Sequence, residues 1–161
     1  MSEQKSGEMI QAPNALQLRV GGGRLGAIDP AVIAKAEAAL KSLSVNFVQW
    51  LNDEIDKLEA ARATVRADGT THENMESLYL RAHDLKGLGA TYGFPLITRI
   101  AGLLCRLIDD KSKRLEAPMD LLDAHINAIK AAARDSIKTD DHPGAEILLQ
   151  DLEGRIKAYG A

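Results

Sequence analysis

Pro30, Pro95, Pro118 and Pro143 each stand at the head of a run in which apolar residues return every three or four positions. Proline fits the first turn of a helix, where its missing N–H has no partner to lose, and disrupts helix interiors. Chain starts of this kind, followed by helical periodicity, confine the fold to helices packed on helices. The composition agrees: the chain is 45% hydrophobic but only 4% aromatic, rich in Ala and Leu, whereas a β-sandwich would draw on Val, Ile, Thr and aromatic residues. At 161 residues it is long enough for one domain with a proper core and too short for two ordinary ones.

The helices can be placed individually. Asp29 is an N-cap before Pro30, and Val32, Ile33, Ala36 and Leu40 predict a first short helix to about Leu43. Ser44 then caps a second, in which Phe47, Val48, Leu51, Ile55, Leu58 and Val65 keep helical spacing as far as Asp68-Gly69. Thr71 or His72 opens a third, which extends to Gly93-Phe94 because the residue before Pro95 is biased away from the helical region. A fourth buries Ile97, Ile100, Ala101, Leu104 and Leu107 or Ile108, and ends in the charged segment 109–114. The fifth presents Met119, Leu122, Ile126, Ile129 and Ala133, and the sixth presents Ala145, Leu148, Leu149, Leu152 and Ile156. Short connections favour antiparallel neighbours. The expected fold is therefore all-α: an antiparallel up-and-down four-helix bundle over residues 44–138 with flanking N- and C-terminal helices. Residues 1–28, with Pro13, the run Gly21-Gly22-Gly23 and Gly26, read as a flexible N-terminal arm, and residues 29–161 as one domain.

Charge and cysteine usage narrow the partners. A net charge of −3, from 23 acidic and 20 basic side chains, leaves no basic excess to neutralise a phosphate backbone, so nucleic acid is not an expected partner. A single cysteine, Cys105, excludes an intramolecular disulfide and a multi-cysteine metal site, as in a reducing compartment. No apolar run behind a basic start opens the chain, and none approaches the ~18 residues of a membrane span. The expectation is a cytoplasmic protein that does not enter a membrane.

The chemistry concentrates in His83-Asp84-Leu85-Lys86-Gly87-Leu88-Gly89-Ala90-Thr91-Tyr92-Gly93 on the third helix. At about 100° per residue from Leu78, the residues Met75, Ala82, Leu85, Gly89 and Tyr92 form a buried stripe between about −40° and +60°. His83 falls near ~140°, with Tyr79, Lys86, Gly87 and Ala90 around it between about 80° and 180°. The imidazole should meet solvent on a face with little steric cover. His125 lies at a stripe boundary and reads as a packing or capping residue, and His72 and His142 read as residues of helix starts.

The pattern His-x-Leu-Lys-Gly, followed by small residues and by a glycine ten positions after the histidine, resembles that of the histidine phosphotransfer (HPt) domain family of bacterial multistep phosphorelays. The match lies at His83, Leu85, Lys86, Gly87, Gly89, Ala90 and Gly93, and Leu88 departs from it where a small or polar residue is usual. The resemblance implies that His83 carries a phosphoryl group between aspartates of response-regulator receiver domains, supplied through a hybrid histidine kinase. It further implies a phosphoryl carrier without its own kinase activity and without a cofactor, any Mg²⁺ belonging to the receiver partner.

The residues themselves suit that task. A neutral imidazole nitrogen is the nucleophile, and exposure leaves it open to an acyl phosphate held in another protein. Lys86, at i+3, can reach a phosphoryl group on His83. Gly87, one turn beyond, leaves clearance for the phosphoryl group and the partner, and Gly89, on the core face, points to a close helix approach. The partner surface is expected at Glu76, Tyr79, Lys86, Gly87, Ala90 and Phe94. Arg106, on an antiparallel fourth helix, should come level with His83 and assist the phosphate or the partner. Two alternatives remain at this point. One is an HD-type metal-dependent phosphohydrolase built on His83-Asp84 with His72, His125 and Asp135, although adjacent helical residues diverge by about 100° and no metal site is assigned. The other is a helical adaptor without phosphotransfer.

Overall fold

The computed structural model describes residues 28–161, so the arm expected over residues 1–28 lies, except for Ile28, outside the described residues. The elements are α1 (Pro30–Asp68), α2 (His72–Leu88), α3 (Pro95–Ile108), a short 3-10 helix (Arg114–Glu116), α4 (Met119–Arg134) and α5 (Pro143–Tyr159). No strand occurs among the described residues. The chain divides into two units, Met1–Leu43 and Ser44–Ala161.

In the first unit, Asp29 caps the start of α1 by accepting a hydrogen bond from Ala31 N at 2.9 Å, and residues 30–43 are helical and exposed throughout. The break expected at Ser44 does not occur: one helix runs from Pro30 to Asp68. Nothing at Leu43-Ser44-Val45 forces the chain out of the helix, since neither glycine nor proline is present. A serine inside a helix costs only a few tenths of a kcal/mol, roughly, whereas ending one helix and nucleating another costs far more.

In the second unit the apolar stripes converge. Leu51, Ile55, Leu58, Ala61 and Val65 of α1 are buried, as are Met75, Leu78, Ala82 and Leu85 of α2. Helix α3 contributes the largest share, from Leu96 to Ile108, and packs against α2, α4 and α5. Helix α4 adds Leu122, Ile126 and Ile129, and α5 adds Ala145, Leu149, Leu152 and Ile156. Two charged side chains that periodicity alone would place at the surface are also buried, Arg62 and Arg114. Arg62 donates to both Glu59 oxygens at 2.6 Å, to Asp123 at 3.2 Å and to Asn127 at 2.8 Å, which ties α1 to α4. The Arg62 guanidinium holds the Glu59 carboxyl down at about 2, with Lys130 assisting. His125, expected at a boundary, is fully buried on α4. Its Nδ1 meets Leu121 O at 2.8 Å and its Nε2 has no partner.

Helix α2 starts as expected, with Thr71 Oγ1 accepting from Asn74 N at 3.1 Å, but it ends at Leu88 rather than at Gly93. Helix α3 crosses so closely that a Cβ on Gly89 would stand 2.7 Å from Thr98 Oγ1 and 2.8 Å from Thr98 N. Thr98 Oγ1 instead accepts from Ala90 N at 2.7 Å, Phe94 N closes onto Gly89 O at 2.8 Å, and Gly93 turns the chain at a φ of 90°. Ala90 and Tyr92 therefore sit on a turn, not on helical register. The Tyr92 ring lies 5.7 Å from that of Phe47 and 5.9 Å from that of Trp50, outside the α2 stripe. His142, as expected of a helix-start residue, caps α5 by accepting from Gly144 N at 3.1 Å.

Candidate functional site

His83 projects from the middle of α2 on the face opposite its buried stripe and is exposed, with Lys86 and Gly87 exposed beside it. A Cβ added to Gly87 would meet nothing within 4 Å, so packing does not require a glycine there. Gly89, two residues on, is constrained by Thr98 as described. The two glycines thus have separate causes.

The floor of the site is α3. A Cβ on Gly102 would stand 3.9 Å from Lys86 Cε, so the lysine stem lies across α3 at its one residue without a side chain. Towards the other end of α2, Tyr79 donates its hydroxyl to Asp109 Oδ1 at 2.9 Å. Lys86 meets Gly102 and Tyr79 meets Asp109, so the two helices run in opposite directions, with Cys105 between these contacts. Burial pushes the Cys105 thiol up to about 11, Asp109 adding to the effect and Lys86 opposing it. The hydrogen bond to Asp109, followed by burial, also raises the Tyr79 hydroxyl above its usual range.

Around the imidazole, the Tyr79 ring lies 6.1 Å from the His83 ring, tilted by 40°. Behind Tyr79 the guanidinium of Arg114 sits 4.6 Å from the ring centroid and pairs with Glu76. Asp84 points away from this face and pairs with Arg81 at 3.7 Å. Among the described residues no group of three or more His, Cys, Asp and Glu side chains is placed to hold a metal ion.

Not every residue expected at the site is brought to it. Phe94 is 1% exposed and belongs to the core, because the turn after α2 folds its ring inward where Lys138 covers it. It is removed from the partner surface. Arg106 is directed to Ala161, whose carbonyl accepts from Nη2 at 3.0 Å, and lines a cavity of about 400 Å³ with Lys113 and Tyr159. Glu76 is engaged by Arg114. In their place the structure adds Gly102, Asp109 and Arg114. The first two could be anticipated from an antiparallel register of α2 on α3. Arg114 gave no signal, since it lies in a charged run that reads as a solvated helix end.

One open helical face thus carries a histidine, a lysine at i+3 and a glycine with free space above it. Residues 42–137 match the Hpt domain, and the chain belongs to that family. Hpt domains carry out histidine phosphotransfer in phosphorelays and are phosphocarrier modules, not kinases. No curated protein and no solved structure matches the chain. No described helix is long and apolar enough to cross a membrane.

Proposed function

We propose that this chain is the histidine phosphotransfer protein of a two-component phosphorelay, with His83 accepting a phosphoryl group from one receiver-domain aspartate and passing it to another. The observation that carries the reading is the exposed His83 on α2 with Lys86 beside it and open space over Gly87. In the accepting step an unprotonated imidazole nitrogen forms the N–P bond while the P–O bond of the aspartyl phosphate breaks, its electron pair returning to the carboxylate. The return step reverses this on a second receiver. A loose, in-line transfer of this kind depends on positioning and charge stabilisation, and the Lys86 ammonium supplies positive charge to the moving phosphoryl oxygens. Any Mg²⁺ is held by the receiver, and this chain contributes no cofactor.

The partners are response-regulator receiver domains and a hybrid histidine kinase, in the cytoplasm, docking over Tyr79, Lys86, Gly87 and Ala90. An antiparallel up-and-down four-helix arrangement over residues 44–138 fits this use, because it leaves the His83 face of α2 uncovered. The opposed run of α2 and α3 supports it. The testing experiment is incubation with phosphorylated receiver domains. Acid-labile, base-stable label should appear on this chain and be absent from His83→Gln, whose fold is unaltered. Label that persists in His83→Gln rejects the assignment.

A further inference from the structure

We infer that Arg114 is a positioning residue for phosphotransfer, holding the His83 imidazole in orientation through the ring of Tyr79. The inference rests on the reading of His83 as the phosphoryl acceptor. Arg114 belongs to the 3-10 helix that follows α3, and its side chain is only 3% exposed. Each edge of its guanidinium is engaged. Nε donates to Ile108 O at 2.7 Å, Nη2 to Asp109 O at 3.4 Å and Nη1 to the Glu76 carboxylate, while the planar face stacks on Tyr79. With its side chain buried and a donor bonded at each of its three nitrogens, the Arg114 guanidinium is held in place behind Tyr79.

Tyr79 is thereby fixed at two points, its ring by Arg114 and its hydroxyl by Asp109. It stands one turn before His83, where i and i+4 side chains are neighbours. Its ring contact with the imidazole falls within the about 4.5–7 Å spacing of aromatic pairs. An exposed histidine otherwise samples several rotamers, and each must be left before a nitrogen lines up with an incoming phosphorus. A wall fixed on one side removes that search before the partner arrives. Arg114 reaches no partner itself, so its effect should appear in the rate within the complex and not in complex formation.

The competing role is purely structural. Ile108 and Asp109 close α3, and a cation on those carbonyls stabilises a helix C-terminus whatever happens at His83. That role predicts a lower melting temperature for Arg114→Ala and nothing more. Tyr79→Leu separates the two, since it removes the ring while leaving Arg114 its bonds to Ile108, Asp109 and Glu76.

The experiment records the His83 ring C–H resonances of the free protein by NMR, together with transfer from a phosphorylated receiver domain at varied receiver concentration. In Arg114→Ala the ring-current shift that Tyr79 imposes on the His83 resonances should change, because the Tyr79 ring loses its backing; Tyr79→Leu removes that shift by deleting the ring and is read on the transfer rate alone. The maximal transfer rate should fall about 3- to 10-fold in both variants, with the half-saturating receiver concentration unchanged in Arg114→Ala, because Tyr79 itself belongs to the proposed docking face. A folded Tyr79→Leu whose maximal rate equals that of the wild type overturns the inference, as does a folded Arg114→Ala whose His83 resonances and maximal rate are both unchanged. If wild type takes up no label, the resonances of Arg114→Ala, or of Arg114→Gln where the alanine variant does not fold, still decide: a shift there sustains the positioning of His83 and removes only the proposed function, and no shift removes both.

Discussion

Lys86 and Gly87 lie outside the core, so under the proposed function substitutions there should act on transfer without disturbing the packing. Lys86→Ala should lower the rate of transfer to His83 by about tenfold, at the weak end for losing a charge at a developing anion, since solvent screens an exposed ammonium. An unchanged rate at matched receiver concentration would return Lys86 to an ordinary surface role. Gly87→Gln should block transfer by filling the space over α2, and should keep or raise stability by up to about 1 kcal/mol, because glycine is the poorer helix former. Melting temperature and transfer rate measured on the same variant check both halves, and a destabilised but active protein would show that the docking face lies elsewhere. The shared exposed face of His83, Lys86 and Gly87 was legible in the sequence because helical spacing fixes which side chains lie together. Arg114 was not, because its partners Glu76, Tyr79 and Ile108 lie on other elements and no local spacing reports such a meeting. Phe94 misled for a related reason: extending α2 to Gly93 assigned Phe94 a helical direction that the turn does not have.

At the level of elements, the seam between α2 and α3 is set by one missing methyl group. Thr98 approaches Gly89 with both its hydroxyl and its backbone nitrogen, and a backbone atom cannot rotate away. Gly89→Ala should therefore destabilise by about 1–3 kcal/mol, the range for overpacking a tight contact, although alanine is the better helix former. Thermal or denaturant unfolding measures it directly. A neutral or stabilising result would mean that α3 shifts freely along α2. The element boundaries show where periodicity stops being informative. The apolar pattern gave the existence and buried faces of α2 to α5, since those depend on spacing alone. It placed a helix start at Ser44 because a serine that can cap is indistinguishable, in sequence, from one inside a helix.

For the whole molecule, the buried polar groups set the response to pH. Burial lowers the His125 pKa below its ordinary value, and the nearby Arg155 charge acts in the same direction, against the Leu121 carbonyl. The unfolded chain then binds a proton that the folded chain resists. Stability from this group is complete above the unfolded value near ~6.5 and is lost as pH falls from there towards the lower folded value. His125→Leu should flatten that part of the stability profile and match or exceed wild-type stability at neutral pH, since it also removes a buried nitrogen without a partner. Chemical denaturation across mildly acidic pH tests this, and a variant that keeps the wild-type slope would assign the loss to other groups. The helical class and the exposed histidine were legible in the sequence, but the burial of His125 was not, because a boundary position becomes interior only where α5 packs nearby.

Cys105 lies in the same seam, under the face that carries His83, as the only thiol in the chain, buried and held protonated at neutral pH. Alkylating reagents attack thiolate and need access, so the closed protein should be nearly inert towards them. Each modification event then records a moment when α2 has lifted from α3. The rate of alkylation thus serves as an intrinsic clock for breathing at the seam, readable by mass alone and without any label placed near the histidine.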